Sequence, residues 1–367
     1  MQIDKDKLEW IQLDITARCQ ASCIECSRNI NGKDLNPFIG KAVSWDMPLD
    51  VFKKAVTPSM LKNSLKKLLL NGNFGDPCIH PNFLEICEYV SEHAHNNLKF
   101  RVSTNGAMFK PEYWKKFANT IKKLDNHAVI FGIDGLNDTH HIYRRNTRYE
   151  DVITNAKSFI QEGGNASWQY IIFDHNRHQV EQAREIAKQT GFKEIFFKGG
   201  FDDGGGARNY TKATDDNSIN IGEETKKNEK VSISVKSRPA YNDAKADVKK
   251  MSDQKGKSYL DTAKISCQWY DTKGMYIEYD GTVWMCCWVG DMHKTTNNKI
   301  RKEWGHIENK FGKHFHNLNY HTFDDILNHE FFTDYLPNSF NNTRDDSNAP
   351  RLNTCAKTCI WGKDFVS

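Results

Sequence analysis

Short apolar runs alternate with helix-spaced apolar stripes along the first half of the chain. The strand-like runs lie at 9–14, 67–71, 99–103, 128–133, 168–173 and 194–198. Between them, apolar residues recur on one helix face, as at Phe83, Ile86, Val90 and Ala94. Strands that alternate with helices in this way favour parallel βαβ units with right-handed crossovers. The pattern therefore predicts an α/β fold whose ligand loops lie at the carboxyl ends of the strands.

The composition changes at Gly199, where a glycine-rich junction opens a long polar stretch. Within that stretch, residues 231–235 alternate in the pattern of a strand. We interpret the whole stretch as a polar linker or insertion. The predicted organisation is an α/β domain, this linker and a small C-terminal α+β domain, at 1–198, 199–264 and 265–367 respectively.

Length, charge and cysteine content limit the class of protein. The chain has 367 residues, enough for a large and a small domain, and its net charge of +4 argues against a dedicated nucleic-acid binder. It shows neither an apolar run of membrane-spanning length nor a signal-peptide pattern, so we expect no membrane partner. Ten cysteines in such a chain favour metal ligation in a reducing compartment, so we expect a cytoplasmic protein.

Three cysteines follow the first predicted strand at the spacing C-x-x-x-C-x-x-C: Cys19, Cys23 and Cys26. Three thiolates on one loop can hold three corners of a cubic 4Fe–4S cluster, and no fourth ligand follows at the close spacing of a ferredoxin. The fourth iron of such a cluster has an open coordination site for a small molecule. The alternative is a zinc site, although zinc sites usually show two C-x-x-C pairs or a Cys/His set.

This spacing resembles that of the radical S-adenosylmethionine (SAM) enzymes. The resemblance implies an open iron that chelates the amino and carboxylate groups of SAM, and one-electron cleavage of SAM to a 5′-deoxyadenosyl radical. It also implies that the α/β domain is a partial (β/α)6 TIM-like barrel, open on one side. A low-potential electron donor, flavodoxin or ferredoxin, is implied as a partner.

Three further motifs at predicted strand ends carry the same resemblance. Residues 75–77, Gly-Asp-Pro, lie where the family has its Gly-Gly-Glu-Pro loop, which grips the amino group of SAM. Residues 103–106 resemble the family's Thr-Asn-Gly strand end, whose polar side chains meet the ribose. Residues 132–144 resemble its Ser-x-Asp-Gly…His-x-x-Tyr-Arg stretch, with Gly132 in place of the serine. The SAM-binding residues implied are Gly75, Asp76, Pro77, Ser103, Asn105, Asp134, Arg144 and Arg148.

The two arginines in that set are alternatives for one task. Arg144 or Arg148 is the candidate partner of the SAM carboxylate, because a guanidinium binds carboxylates in a fixed fork.

A second cysteine set lies in the C-terminal region: Cys267, Cys286, Cys355 and Cys359. Its first half, C-x13-G-x-x-x-x-C, resembles the start of the SPASM and Twitch domains, which carry auxiliary clusters in radical SAM enzymes. The resemblance implies a Twitch-type domain, the shortened form of SPASM, in which these four thiolates ligate one auxiliary 4Fe–4S cluster. A structural zinc site is the alternative. The adjacent Cys287 is a candidate catalytic thiol, with a buried core cysteine as the other interpretation.

Together these patterns predict a radical SAM enzyme with two 4Fe–4S clusters and SAM as cofactors. We expect it to abstract a hydrogen atom from a peptide or small polar metabolite, in a net oxidation such as dehydrogenation or crosslinking. The alternatives from other classes are an iron–sulfur electron carrier without radical chemistry and a zinc-stabilised binding module. An electron carrier would not need the Gly-Asp-Pro and Thr-Asn-Gly loops.

Overall fold

The structure is a computed structural model that describes residues 4–24, 26, 28–30, 33–34, 45–199, 219–220, 258–290, 292 and 298–359. The predicted strand at 231–235 lies outside these residues, as does most of the predicted linker.

The strands follow closely from the apolar runs. In chain order they are β1 (Trp10–Leu13), β2 (Asn29–Ile30), β3 (Lys33–Asp34), β4 (Lys67–Leu70), β5 (Lys99–Thr104), β6 (His127–Gly132), β7 (Ala166–Ile172), β8 (Glu194–Gly199), β9 (Ile219–Asn220), β10 (Gly274–Ile277) and β11 (Val283–Trp284). Each of the six strands predicted in the first half of the chain therefore forms within two residues of its predicted bounds.

The helices fill the connections between these strands. In chain order they are α1 (Leu49–Ala55), α2 (Pro58–Asn63), α3 (Phe83–His93), α4 (Pro111–Ile121), α5 (His140–Tyr143), α6 (Tyr149–Gln161), α7 (Val180–Thr190), α8 (Ser258–Thr262), α9 (Gln268–Asp271), α10 (Cys287–Gly290), α11 (Asn298–Phe311), α12 (Phe323–Leu327), α13 (Leu336–Ser339) and α14 (Asn353–Thr358). Short 3₁₀ turns occur at Lys5–Lys7, Pro77–Ile79 and Arg177–Gln179, and a π-helical turn at Phe331–Tyr335.

Local sequence explains where several helices begin. Helix α4 starts with Pro111, whose fixed backbone angle suits a first helical position. Helix α2 follows Thr57, whose hydroxyl accepts a hydrogen bond from the backbone N–H of Met60. Helix α12 has a full capping box between Thr322 and Asp325.

The chain forms two compact units that interleave in sequence. The first unit comprises Met1–Ile15, Ala42–Leu68 and Asp243–Ser367, and the second comprises Thr16–Lys41 and Leu69–Asn242. These units divide the chain differently from the predicted domains at 1–198, 199–264 and 265–367, which remain a prediction.

The second unit is built on a mostly parallel sheet. Its strands lie in the order β4-β5-β6-β7-β8-β9. The pairs β5–β6, β6–β7 and β7–β8 are parallel, and β9 adds antiparallel to β8. Because the row ends at β9, this is an open sheet and not a closed ring, which confirms the predicted open α/β architecture. Helices α4 and α6 pack beside it through a buried aromatic group formed by Trp114, Phe117, Phe131 and Phe159.

Three strands belong to the first unit and lie in the order β11-β10-β1. Strand β1 pairs in parallel with β10, and β10 pairs antiparallel with β11. All four residues of β10 are buried, so this strand lies inside the unit. The unit's aromatic core includes Trp284 and Trp304, whose ring centres are 4.6 Å apart.

Candidate functional site

The three N-terminal cysteines line one cavity of the second unit. Cys19, Cys23 and Cys26 share this cavity, of about 190 Å³, with the loop that follows β4 and with the carboxyl ends of β5 and β6. The loop that carries them turns sharply, because the backbone N–H of Cys26 donates to the carbonyl of Cys23 at 3.2 Å. The cysteines therefore lie at the carboxyl edge of the sheet, where the βαβ pattern predicted the ligand site.

Arg28 holds this cysteine loop in shape. Its Nε donates to the carbonyl of Ala17 at 3.0 Å, and its Nη1 donates to the carbonyl of Cys19 at 2.9 Å. Sequence reasoning missed Arg28, because nothing in its spacing distinguishes it from a surface arginine.

The Gly-Asp-Pro loop clasps the cysteine loop through its backbone. The N–H of Asp76 donates to the carbonyl of Arg18 at 2.7 Å. A Cβ on Gly75 would lie 2.2 Å from the carbonyl oxygen of Thr16 and 2.8 Å from that of Arg18. Only a residue without a side chain permits this approach, so Gly75 serves the contact between the two loops.

Asp76 is buried, and its carboxylate accepts hydrogen bonds from neighbouring protein groups. It accepts hydrogen bonds from the hydroxyl of Thr104 at 2.9 and 3.0 Å and from the backbone N–H of Cys78 at 3.1 Å. It also accepts from the backbone N–H of Asn105 at 2.7 Å. Burial raises the pKa of Asp76, and the hydrogen bonds from Asn105 and Thr104 oppose that rise. Asp76 thus ties together the loops that form the cavity.

Asn105 connects Asp76 to the first cysteine. Its Nδ2 lies 2.5 Å from Oδ2 of Asp76 and 3.6 Å from Sγ of Cys19. Its Oδ1 accepts a hydrogen bond from Nε2 of Gln20 at 2.6 Å. Gln20 was not predicted as a site residue, and its contact with Asn105 joins positions 85 residues apart in sequence.

Arg144, which lines the cavity, forms a buried ion pair with Asp134. Nε of Arg144 donates to Oδ2 of Asp134 at 2.6 Å, and Nη1 lies 3.9 Å from Sγ of Cys23. Burial alone would lower the pKa of Arg144, but the negative charge of Asp134 outweighs it, so this pKa lies above its ordinary value. Arg144 is therefore a buried, permanently charged group beside a predicted cluster ligand.

The structure brings most, but not all, of the predicted SAM residues to the cavity. Gly75, Asp76, Ser103, Asn105 and Arg144 are in its lining. Ser103 donates to Oδ1 of Asn71 at 3.2 Å.

Three predicted SAM residues lie elsewhere. Pro77 is buried at the start of a 3₁₀ turn, and Asp134 lies behind Arg144. The side chain of Arg148 is 74% exposed beside Glu150 and Asp151 at the start of α6. Of the two arginine alternatives, only Arg144 is therefore placed to meet a ligand in the cavity.

The walls around the three thiols fit a cluster. Ala21, Cys23, Tyr143 and Phe173 form a buried apolar group, against which Cys19 and Cys26 pack. Burial raises the pKa of Cys19 to about 12 and also raises that of Cys23, so both thiols must lose protons when they bind a metal. Three thiols on one water-poor cavity match the donor set of a 4Fe–4S cluster with one open iron. Among the described residues, no group of three or more His, Cys, Asp or Glu side chains has the geometry of a single-ion site.

The second cysteine set gathers in the first unit. Cys267 precedes α9, Cys286 follows β11, and Cys355 and Cys359 lie within and just after α14. Burial raises the pKa of Cys286, and negative charge on Cys355 and Cys267 raises it further. The pKa of Cys359 is raised to about 12 by burial and by Cys267. The backbone N–H of Ser266 donates to the carbonyl of Cys359 at 2.7 Å, which brings the segment of Cys267 beside the last cysteine of the set.

Two arginines fix the segment that carries the last two of these cysteines. Arg351 is buried and donates to the carbonyls of four residues: Leu260, Ala263, Phe340 and Asn342. Arg344 forms a bidentate ion pair with Asp261, in which Nε donates to Oδ1 at 2.7 Å and Nη2 donates to Oδ2 at 3.0 Å. Sequence reasoning missed both arginines, since their partners are distant in sequence. Cys287 is half-buried and opens α10 next to Cys286, and its catalytic role remains a prediction.

Comparison with known families agrees with both cysteine sets. Residues 13–187 match the model of the radical SAM superfamily, and residues 267–360 match SPASM, an iron–sulfur cluster-binding domain. Residues 13–187 therefore form a radical SAM domain, and residues 267–360 form a SPASM domain. These domains imply a 4Fe–4S cluster and SAM as cofactors, with additional iron–sulfur cluster binding in the SPASM region.

The fold is shared with solved radical SAM structures. The structure of SuiB from Streptococcus suis bound to S-adenosylmethionine is 13% identical, with a TM-score of 0.52 over 97% of this chain and 73% of that one. SuiB bound to its precursor peptide SuiA is 14% identical, with a TM-score of 0.50 over 97% and 72%. The enzyme anSMEcpe with bound AdoMet is 13% identical, with a TM-score of 0.50 over 95% and 94%.

One curated relative matches a shorter region. It is the tungsten-containing aldehyde ferredoxin oxidoreductase cofactor-modifying protein of Pyrococcus furiosus, 26% identical over 129 residues. The match covers 35% of this chain and 32% of that protein. In the part of the chain that the structure describes, no helix combines the length and apolar character needed to cross a bilayer.

Proposed function

We propose that this protein cleaves SAM reductively and abstracts a hydrogen atom from a peptide or a small polar metabolite, in a net oxidation. The observation that carries the proposal is the shared cavity of Cys19, Cys23 and Cys26, which also contains Asn105 and Arg144. An electron carrier has no need of such a cavity beside its cluster, whereas an enzyme that binds SAM at an open iron requires one.

The residues of the chain supply binding, orientation and exclusion of water. The cluster, when bound, supplies the electron for SAM cleavage. Cys19, Cys23 and Cys26 would hold it, and the apolar wall of Tyr143 and Phe173 keeps water from its side of the cavity. The polar side chains of the cavity offer hydrogen-bonding groups to a SAM molecule. We assign Arg144 as the partner of the SAM carboxylate, because of the two candidate arginines, Arg144 and Arg148, it is the one in the cavity lining. Arg28 also lines the cavity, but its guanidinium donates to the backbone carbonyls of the cysteine loop.

Support for a peptide substrate comes from the shared fold with SuiB, which has been solved with its precursor peptide. Support for a small metabolite comes from the curated relative, which is named for modifying a cofactor. We place the peptide first, because the match to SuiB extends over nearly the whole chain and the other match does not.

The second cysteine set supports a net oxidation. Cys267, Cys286, Cys355 and Cys359 would ligate an auxiliary 4Fe–4S cluster through all four thiols, in a Twitch-type arrangement. A fully ligated cluster can accept the electron that remains when a substrate loses a hydrogen atom and a proton. Flavodoxin or ferredoxin is the class of donor that would reduce the first cluster.

The test is anaerobic reconstitution of the full chain, followed by addition of SAM and dithionite. The parent protein should form 5′-deoxyadenosine, and a variant with Cys19, Cys23 and Cys26 all replaced by Ala should form none. Continued formation by the triple variant would show that the N-terminal assignment is wrong. A parent that binds iron but leaves SAM intact favours the electron carrier, and a parent that retains zinc instead favours the binding module.

A further inference from the structure

The orientation of Arg144 is fixed by a buried partner. Its Nε donates to one oxygen of Asp134 at 2.6 Å, and the other oxygen of Asp134 accepts from the backbone N–H of Ile171 at 2.5 Å. Asp134 is fully buried and the side chain of Arg144 is 15% exposed. Two anchored oxygens leave this ion pair little freedom to turn within the cavity wall.

Gly132 creates the space that the guanidinium occupies. A Cβ at position 132 would lie 2.5 Å from Nη2 of Arg144 and 3.0 Å from its Cζ. Any residue with a side chain would push the guanidinium aside. In the sequence, Gly132 stands where the resemblance expects a serine that contacts SAM. In the structure, the missing side chain at this position leaves room for the guanidinium of Arg144.

The guanidinium so held points at a predicted cluster ligand. Its Nη1 is 3.9 Å from Sγ of Cys23, within reach of an N–H···S hydrogen bond. Cys23 is buried among Ala21, Tyr143 and Phe173, so water competes little for this contact. A charged donor in such surroundings acts strongly on the sulfur.

We infer that Arg144 raises the reduction potential of the cluster held by Cys19, Cys23 and Cys26, and that it acts through its N–H···S contact with Cys23. The inference rests on the proposed function in one respect, the presence of a cluster at these cysteines. Hydrogen bonds to ligand sulfurs and nearby positive charge stabilise the reduced cluster, because it carries one more negative charge. Asp134 acts in the opposite direction by charge, while it keeps Arg144 in place.

The experiment measures the midpoint potential of this cluster in the full, anaerobically reconstituted chain without SAM. Electron paramagnetic resonance follows the reduction, and the spectrum of the Cys19/Cys23/Cys26 triple Ala variant is subtracted to remove the auxiliary signal. Arg144→Met should lower the midpoint. Gly132→Ala should lower it too, although it leaves the arginine in the sequence, because the new Cβ displaces the guanidinium.

Two further variants separate this effect from a general loss of structure. Asp134→Asn should raise the midpoint, since it removes a negative charge; its amide oxygen can still accept from Arg144, with the amide nitrogen turned to the backbone N–H of Ile171. Arg148→Met is the matched control, because Arg148 is exposed and pairs with Glu150 and Asp151. Its midpoint should equal that of the parent.

Opposite shifts in Arg144→Met and Asp134→Asn would support the inference, since simple loosening of the site would move both the same way. Unchanged midpoints in both Arg144→Met and Gly132→Ala overturn it, even where SAM binds more weakly, and leave the proposed function standing. A triple Ala variant that keeps all the iron and the full signal overturns the proposed function and the inference together.

Discussion

One oxygen of Asp76 accepts two hydrogen bonds from the same residue, Asn105. The backbone N–H of Asn105 reaches Oδ2 at 2.7 Å and its side-chain Nδ2 reaches it at 2.5 Å. This pair locks the loop after β4 to the loop after β5. Since Nδ2 of Asn105 also lies 3.6 Å from Sγ of Cys19, the lock extends to a predicted cluster ligand.

Replacement of the Asp76 carboxylate should therefore loosen the whole cavity. Asp76→Asn puts an amide nitrogen where the carboxylate now accepts from Thr104 and Asn105, so at least one buried donor loses its partner. We expect a loss of roughly 2 kcal/mol in the free energy of unfolding, at the scale of unsatisfied buried polar groups. Thermal unfolding of the anaerobic protein measures it.

The matched control for this variant is Asp50→Asn. The side chain of Asp50 is 73% exposed and its pair with Lys54 is 3.7 Å long, so little stability should be lost. Equal melting temperatures for the two variants would mean that the bonds of Asp76 contribute nothing to the fold.

A pair of glycine substitutions should have opposite effects. Gly75→Ala forces a Cβ against the backbone oxygens of Thr16 and Arg18, so we expect a loss of about 1–3 kcal/mol and weaker retention of iron. Gly305→Ala lies inside α11 with nothing within 4 Å of the new Cβ, so we expect a gain of up to about 1 kcal/mol. Denaturant midpoints and iron content would check both. Stabilisation by Gly75→Ala would contradict the close contact of the two loops.

The sequence predicts the strands well because a parallel strand buried on both faces is nearly all apolar. It also predicts which loops meet, because the carboxyl ends of parallel strands share one edge of the sheet. It fails for Arg28, Gln20 and Arg351, whose roles depend on partners set by the tertiary fold. The interleaving of the two units is hidden for the same reason, since no composition change marks residues 15 or 42.

His140 should make the protein sensitive to mild acid. Burial, followed by the charge of Arg144, lowers the pKa of His140 from 6.5 to about 3. Below pH 6.5, His140 therefore takes up a proton in the unfolded chain but stays neutral in the folded protein. The free energy of unfolding consequently falls as the pH drops from about 6.5 towards 3. The loss should reach about 1.4 kcal/mol at pH 5.5.

His140→Gln should remove this part of the pH dependence, since Gln does not titrate. His141→Gln, on the exposed face of the same helix, should keep the slope of the parent. Unfolding at pH 7.5 and pH 5.5 provides the comparison. If both variants have the parent's slope, another group causes the acid sensitivity.

The two cysteine sets should be separable by mutation. We expect about eight irons in the reconstituted parent, four in each cubane cluster. Cys267 and Cys286 belong to the first unit, so replacement of both by Ala should halve the iron and leave cleavage of SAM by the other cluster intact. Release of 5′-deoxyadenosine with SAM and dithionite measures that cleavage, and colorimetric analysis measures the iron.

Loss of a cluster can also unfold the segment that binds it, so the double variant needs a melting curve and a control. Cys87→Ala serves as that control, because Cys87 is fully buried on α3 and belongs to neither predicted ligand set. It should keep all the iron despite the loss of a buried thiol. A folded double variant that also keeps all its iron would show that Cys267 and Cys286 are not ligands. If the parent instead holds zinc at the C-terminal cysteines, this set has a structural role, because zinc has no redox chemistry with which to accept an electron.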